Sequence, residues 1–273
     1  MVKTLLCGAL AFFLTLPSLS AVDASEVLDR AKERGHLLAA AVPDALPQSG
    51  RDAAGNLDGF DIAVSRALAK QLGAGVEFVL PSWQEILDGG WKGRWDYAVV
   101  SMTPTPEREK ALGFPAVYRL SPAVLVVHEG DTAIKEPKDA SGKTIGVKQD
   151  TTYQQYLNHD LVLYQGAKPF DYRIEKPVVR LFPDKADALA ALAKGDGTLD
   201  AVVTSLAHAQ AAVAEGLPVR TVPGFLFFEP QAVAVDKADP AFAAEVASAI
   251  QALRADGTLG RLSVEWFGID LTQ

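Results

Sequence analysis

Asp96-Tyr97-Ala98-Val99-Val100-Ser101-Met102-Thr103-Pro104-Thr105-Pro106-Glu107-Arg108 is the stretch on which the reading of this chain turns. Tyr97 to Val100 is an unbroken apolar run, as in a strand buried on both faces. Hydroxyls follow at its carboxyl end, on Ser101 and Thr103. Thr105 can cap a helix whose first residue is Pro106. The start of a helix offers unpaired N–H groups and the positive end of a dipole, which suits an anion. Arg108 adds a planar fork matched to a carboxylate. The same residues also fit an ordinary capped helix carrying a surface arginine.

Outward from this stretch, apolar runs alternate with amphipathic ones. Before it, the pattern predicts a helix over Ser25 to Arg34, a strand over Leu37 to Val42 and a helix over Ile62 to Leu72. A strand over Val76 to Leu80 and a helix opening at Trp83 follow. After it come a strand over Thr144 to Val147, a helix near Thr151 to Leu157, a strand over Val178 to Phe182 and a helix capped by Asp184. A strand over Ala201 to Val203 and a helix opening at Asp239-Pro240 follow, and a last helix carries Leu259, Leu262 and Trp266. Strands alternating with helices imply mostly parallel sheets flanked by helices. Asp200-Ala201-Val202-Val203-Thr204-Ser205 faintly echoes Asp96 to Ser101. Two such strand ends facing each other would form a cleft, since ligands gather at the carboxyl ends of strands in open α/β sheets.

Two apolar segments, Pro122 to Val127 and Gln231 to Val235, read as strands crossing between two lobes. The expected organisation is residues 1–24 as a signal peptide, 25–121 with 230–273 as a discontinuous first lobe, and 122–229 as the second. The crossings near Ser121 and Pro230 lack flexible Gly/Ser composition, so motion there would be a hinge. Asn158 to Lys176 is polar, aromatic and non-periodic, an irregular insert of the kind that often serves function.

Composition narrows the function. Of 273 residues 49% are apolar, enough for a sizeable core, and the formal charge of −8 argues against a nucleic-acid partner. Lys3, the apolar run Thr4 to Leu16, the break at Pro17-Ser18 and the small residues before Ser25 read as an export signal cut after Ala24. The apolar run is about 13 residues, short of the roughly 20 that a spanning helix needs. The single cysteine, Cys7, lies in that segment, so the exported chain has no thiol chemistry or disulfide. His36, His128, His159 and His208 are scattered and form no metal spacing. No cofactor is called for.

The central stretch resembles the "S-G-M-T-I-T-P-E-R" signature of the type II periplasmic solute-binding proteins of polar amino-acid ABC transporters. Other stretches resemble the same family in order. Asp52 to Asp61 is similar to "D-x-x-G-x-x-x-G-F-D", Gly113 to Tyr118 to "D-F-S-x-P-Y" and Gly142 to Val147 to "G-K-x-V-G-V". Leu253 to Thr258 with Trp266-Phe267-Gly268 is similar to "L-R-A-D-G-T…W-F-G". The resemblance implies a two-lobed fold with two hinge crossings, a periplasmic monomer, and a small carboxylate-bearing ligand delivered to an ABC permease. It implies that Arg108 and Thr103 bind the ligand carboxylate, helped by the Ser101 backbone, while Thr152 closes on it from the second lobe. Trp83 stands where the family often lines its pocket with an aromatic ring, though it also fits a core tryptophan.

Departures from the pattern bear on the ligand. Asp150 replaces the glycine of the family's "G-T-T", and an acid beside a carboxylate site is unfavourable unless it points away or meets a cation. Ala45-Leu46-Pro47-Gln48 lacks the stacking aromatic. Ser205 stands where the family has an aspartate that pairs with an α-ammonium. A serine cannot neutralise a buried ammonium, so a free amino acid would need Asp44, Asp150 or Glu229 instead. Two rivals share the fold. A cyclohexadienyl-dehydratase-like enzyme would need an acid aimed at a leaving hydroxyl, and no residue identifies itself as one. A soluble sensory module would differ in its partner rather than its pocket.

Overall fold

The computed structural model describes residues 25–43, 46–163 and 170–272. The expected signal segment with Cys7, the candidate Asp44, and the middle of the 158–176 insert lie outside the described residues. In chain order the first part contains α1 (Glu26–Arg34), β1 (His36–Ala40), the short hairpin β2 (Gly50–Arg51) and β3 (Leu57–Asp58), α2 (Phe60–Gln71), β4 (Gly75–Val79), α3 (Trp83–Leu87) and β5 (Tyr97–Met102). Next come β6 (Leu112–His128), β7 (Thr144–Lys148), α4 (Thr152–Asn158), β8 (Val178–Phe182), α5 (Lys185–Ala193), β9 (Ala201–Ser205), α6 (Leu206–Ala214) and β10 (Val219–Thr221). The chain closes with β11 (Phe227–Asp236), α7 (Pro240–Ala255) and α8 (Thr258–Phe267).

Local chemistry sets these bounds. Ser25 caps α1 and Gly35 ends it in the left-handed region at φ 85°. Ser82 and Glu85 form a reciprocal capping box on α3. Asp184 and Asp239 cap α5 and α7, the latter with Pro240 at the first helical position. One expectation is corrected. No α-helix opens at Pro106; a single 3₁₀ turn forms over Arg108–Lys110, and the Thr105 hydroxyl accepts the Arg108 backbone N–H at 3.3 Å. The strand β6 begins at Leu112, directly after this turn.

The main sheet runs β4-β1-β5-β11-β6-β9-β7-β8, with β10 pairing on β6. Its two ends are parallel, β4-β1-β5 on one side and β9-β7-β8 on the other. Between them the long antiparallel pair of β6 and β11 passes through both halves, placing Ser121 opposite Glu229 and Leu120 opposite Pro230. The apolar core divides at this point. Phe60, Tyr97, Tyr118, Val233 and Phe242 pack with one half, while Leu125, Ile145, Tyr156, Val203 and Phe227 pack with the other. Each such fully buried side chain contributes about 1.5–3 kcal/mol. The described ends of the insert are not free loops: Phe170 and Tyr172 pack on Tyr156, and Tyr172 stacks on His159 with ring centres 4.2 Å apart.

Candidate functional site

The carboxyl ends of β5, β7 and β9 meet the β6–β11 crossing around a cavity between the two lobes, with about 670 Å³ of empty space counting its open mouth. Ser101, Thr103, Arg108, Trp83, Thr152, Ser205 and Glu229 all line it. Asp150 does not; its side chain is exposed and its backbone carbonyl turns inward.

Arg108 joins the lobes. Its Nη1 donates to the Thr103 carbonyl at 2.9 Å and its Nη2 to the Asp150 carbonyl at 3.2 Å. The guanidinium lies 5.4 Å from the Trp83 ring centre, within cation–π range. Burial lowers its pKa to about 10, opposed by the charges of Glu229 and Asp150, so it is charged at neutral pH.

Glu229, 2% exposed, projects from β11 into the place where those donors converge. Its Oε1 accepts from the Thr103 hydroxyl at 3.2 Å and from the Thr152 hydroxyl. Gln231 Nε2 approaches Oε2 at 3.5 Å. Burial, followed by the charge of Glu229, pushes the Tyr153 hydroxyl well above its ordinary pKa.

A second group surrounds Arg119, which stands between Tyr118 and Leu120 in the middle of β6 and is 2% exposed. Its Nη2 donates to Ser101 Oγ at 2.8 Å, and Ser101 Oγ donates to Asp61 Oδ2 at 2.7 Å. Tyr118 Oη donates to Asp61 Oδ1 at 2.9 Å. Burial raises the Asp61 pKa, with Arg119 the main opposing charge. Ser101 reaches this network from a left-handed backbone at φ 51°. Arg119 Nε and Nη1 have no acceptor among the described residues.

Across the cleft, Ser205 caps α6 by accepting the His208 backbone N–H at 3.3 Å. It also accepts Gln48 Nε2 from the first lobe at 3.3 Å and contacts His208 Nδ1 at 2.8 Å. Burial, then the charges of Lys185, Arg119 and Lys148, hold the His208 pKa well below its ordinary value, so the ring is neutral. Lys148 and Lys185 line the same wall. Sequence reasoning passed over Arg119, His208, Lys148, Lys185 and Asp61. A lone arginine inside the apolar run from Phe114 to Val127 was the available signal. No group of histidine, cysteine and acidic residues suited to a metal occurs among the described residues, nor does any helix long and apolar enough to cross a membrane.

Two α/β lobes around a polar cavity, joined by paired crossing strands, define the class of two-lobed solute-binding proteins. The chain belongs to the bacterial extracellular solute-binding proteins, family 3, whose model matches residues 37–269. It is 27% identical to a probable amino-acid ABC transporter-binding protein of Haemophilus influenzae, over 98% of this chain and 96% of that one. It is 29% identical to the L-cystine-binding protein TcyJ of Escherichia coli, over 90% and 88%. Among solved structures it resembles an ancestral arginine-binding protein bound to glutamine (TM-score 0.71, 31% identity, 86% of this chain and 99% of that one). It also resembles an ancestral amino acid-binding protein described as a precursor of cyclohexadienyl dehydratase (TM-score 0.73, 30% identity, 89% and 100%).

Proposed function

We propose that the chain is an exported, periplasmic binding protein that captures a small carboxylate-bearing solute between its lobes and delivers it to an ABC importer. The observation that carries this reading is the charge of the cavity wall. Among the described residues four cationic side chains line it, Arg108, Arg119, Lys148 and Lys185, together with two carboxylates, Asp61 and Glu229. Such a wall offers cationic groups to an anion.

The ligand is an acid that lacks a free α-ammonium. Ser205 offers no charge, Asp61 is engaged by Ser101 and Tyr118, and Glu229 by Thr103 and Thr152. Among the described residues a buried ammonium would therefore have to share Asp61 or Glu229 with the donors already on them. The names of the relatives concern amino acids, which makes an amino-acid derivative or the corresponding organic acid the nearest chemistry. Calorimetry on matched pairs tests the reading: pyruvate against alanine, and 2-oxoglutarate against glutamate. The acid is expected to bind more tightly in each pair; tighter binding of the amino acids would overturn it.

A further inference from the structure

In the family pattern an arginine at the start of the turn after β5 and the threonines of both lobes receive the ligand's carboxylate. Here those donors are already engaged within the protein. The Arg108 fork reaches two backbone carbonyls, and the Thr103 and Thr152 hydroxyls reach Glu229. The chain's own carboxylate sits where a ligand's would.

The unused donors lie elsewhere. Arg119 Nε and Nη1 are buried without an acceptor among the described residues. His208 Nε2 is also buried without a partner, on a residue 5% exposed. Its protonation follows from the bonds around Ser205. That hydroxyl accepts from the His208 backbone N–H and from Gln48 Nε2, which uses both of its lone pairs. Its own proton must then go to His208 Nδ1, 2.8 Å away. A neutral imidazole that accepts at Nδ1 carries its proton at Nε2. Two side chains from opposite lobes, Arg119 and His208, thus line one cavity while carrying buried N–H groups without an acceptor among the described residues. Leaving them unpaired costs about 1–3 kcal/mol for each neutral donor and more for a charged one.

We propose that the anion-binding seat of this protein is formed by Arg119 and His208, and that Glu229 fills the seat around Arg108. The seat takes a compact oxyanion, a carboxylate in the first instance, whose oxygens accept from Arg119 Nε or Nη1 in the first lobe and from His208 Nε2 in the second. A single group then holds both lobes together. Arg108 becomes a latch between lobes, its fork on Thr103 and Asp150 when the lobes are closed and free of the ligand's own anion. The proposal rests on the reading of the chain as a binding protein for an anionic solute.

Acetate is the probe, since it carries the head group and nothing else. In full-length protein with ¹⁵N-labelled histidine and arginine, acetate is expected to shift the His208 Nε2–H and Arg119 Nε–H resonances together, with one dissociation constant. Arg119→Gln is expected to weaken acetate at least a hundredfold, and Arg108→Gln by less than tenfold. Arg119→Lys keeps a charge beside Asp61 and is expected to fold while losing about tenfold; the wild-type titration needs no variant at all. If carboxylic acids raise the melting temperature while both resonances stay still, this seat is wrong and the anionic-solute reading stands. The same holds if Arg108→Gln abolishes binding while Arg119→Gln retains it. If no carboxylate in a screen raises the melting temperature or moves a resonance, both are overturned.

Discussion

Ser101 and Asp150 both hold left-handed backbone, at φ 51° and 58°, at positions where the family pattern carries glycine. Such a conformation costs a residue with a side chain on the order of 1 kcal/mol, less for aspartate. The two positions differ in what the side chain returns. Ser101 Oγ joins Arg119 to Asp61, so Ser101→Gly relieves strain but strips hydrogen bonds from two buried charges. A net loss of about 1–2 kcal/mol is expected in urea denaturation. Asp150 uses only its backbone toward Arg108, and Asp150→Gly is expected to fall within about 0.5 kcal/mol of wild type. His208 has a pH signature. Burial and the facing cations Lys185, Arg119 and Lys148 depress its folded pKa below the ordinary 6.5. Its contribution is therefore complete above 6.5 and is lost as pH falls toward the folded value, at up to about 1.4 kcal/mol per pH unit. Between pH 6.5 and 5, wild type is expected to lose stability faster than His208→Gln. The comparison cancels the opposite slope of Asp61, which both proteins share.

At the scale of elements, the loop Pro47 to Gly59 brings Gln48 and Ser49 to the cavity wall. Gly59 makes this possible: at φ 120° an added Cβ would lie 2.6 Å from the Gln48 carbonyl oxygen. Gly59→Ala is expected to lower stability by about 2–4 kcal/mol and to weaken ligand binding as Gln48 moves, measurable by denaturation and calorimetry on one preparation. The sequence made some elements easy to read. Val178 to Phe182 is bounded by prolines at 177 and 183, and its strand has those limits. Thr-Pro-Glu after Met102 is a sound opening for a helix, yet the chain makes only a 3₁₀ turn there. What ends it is the strand that starts at Leu112, a tertiary demand invisible in the local pattern. Arg119 escaped notice for a related reason. A single charge in an apolar strand reads as an interruption until the sheet shows that its side chain meets Ser101 and points to a cleft.

For the whole molecule, polar contacts cross the cleft at several places, Gln48 to Ser205, Arg108 to Asp150 and, at the crossing strands, Thr103 to Glu229 among them. Opening must break the first two while β6 and β11 bend beside Ser121 and Glu229. Small-angle scattering is expected to give a smaller radius of gyration with the acid found by calorimetry than without it. Equal radii from an open unliganded state would count against hinge closure. Arg108→Lys cannot span both carbonyls and is expected to weaken that acid about three- to tenfold, with a melting temperature within a few degrees of wild type. The two-lobed plan was legible because the motifs keep their order and spacing along the chain. The chemistry of the cleft was not, because it is assembled from residues as distant as Asp61, Arg119, His208 and Glu229, each unremarkable among its neighbours. The paired crossing strands also set a timetable. One half of the sheet is built from a single continuous stretch, Ala123 to Phe227, and can close without the residues on either side of it. The other has Tyr97 and Tyr118 early but must wait for Val233 and Phe242 from the last strand and helices. As the chain emerges amino end first, the half that is begun first is thus the last to be finished, which leaves β5 with an open edge until the carboxyl-terminal residues arrive.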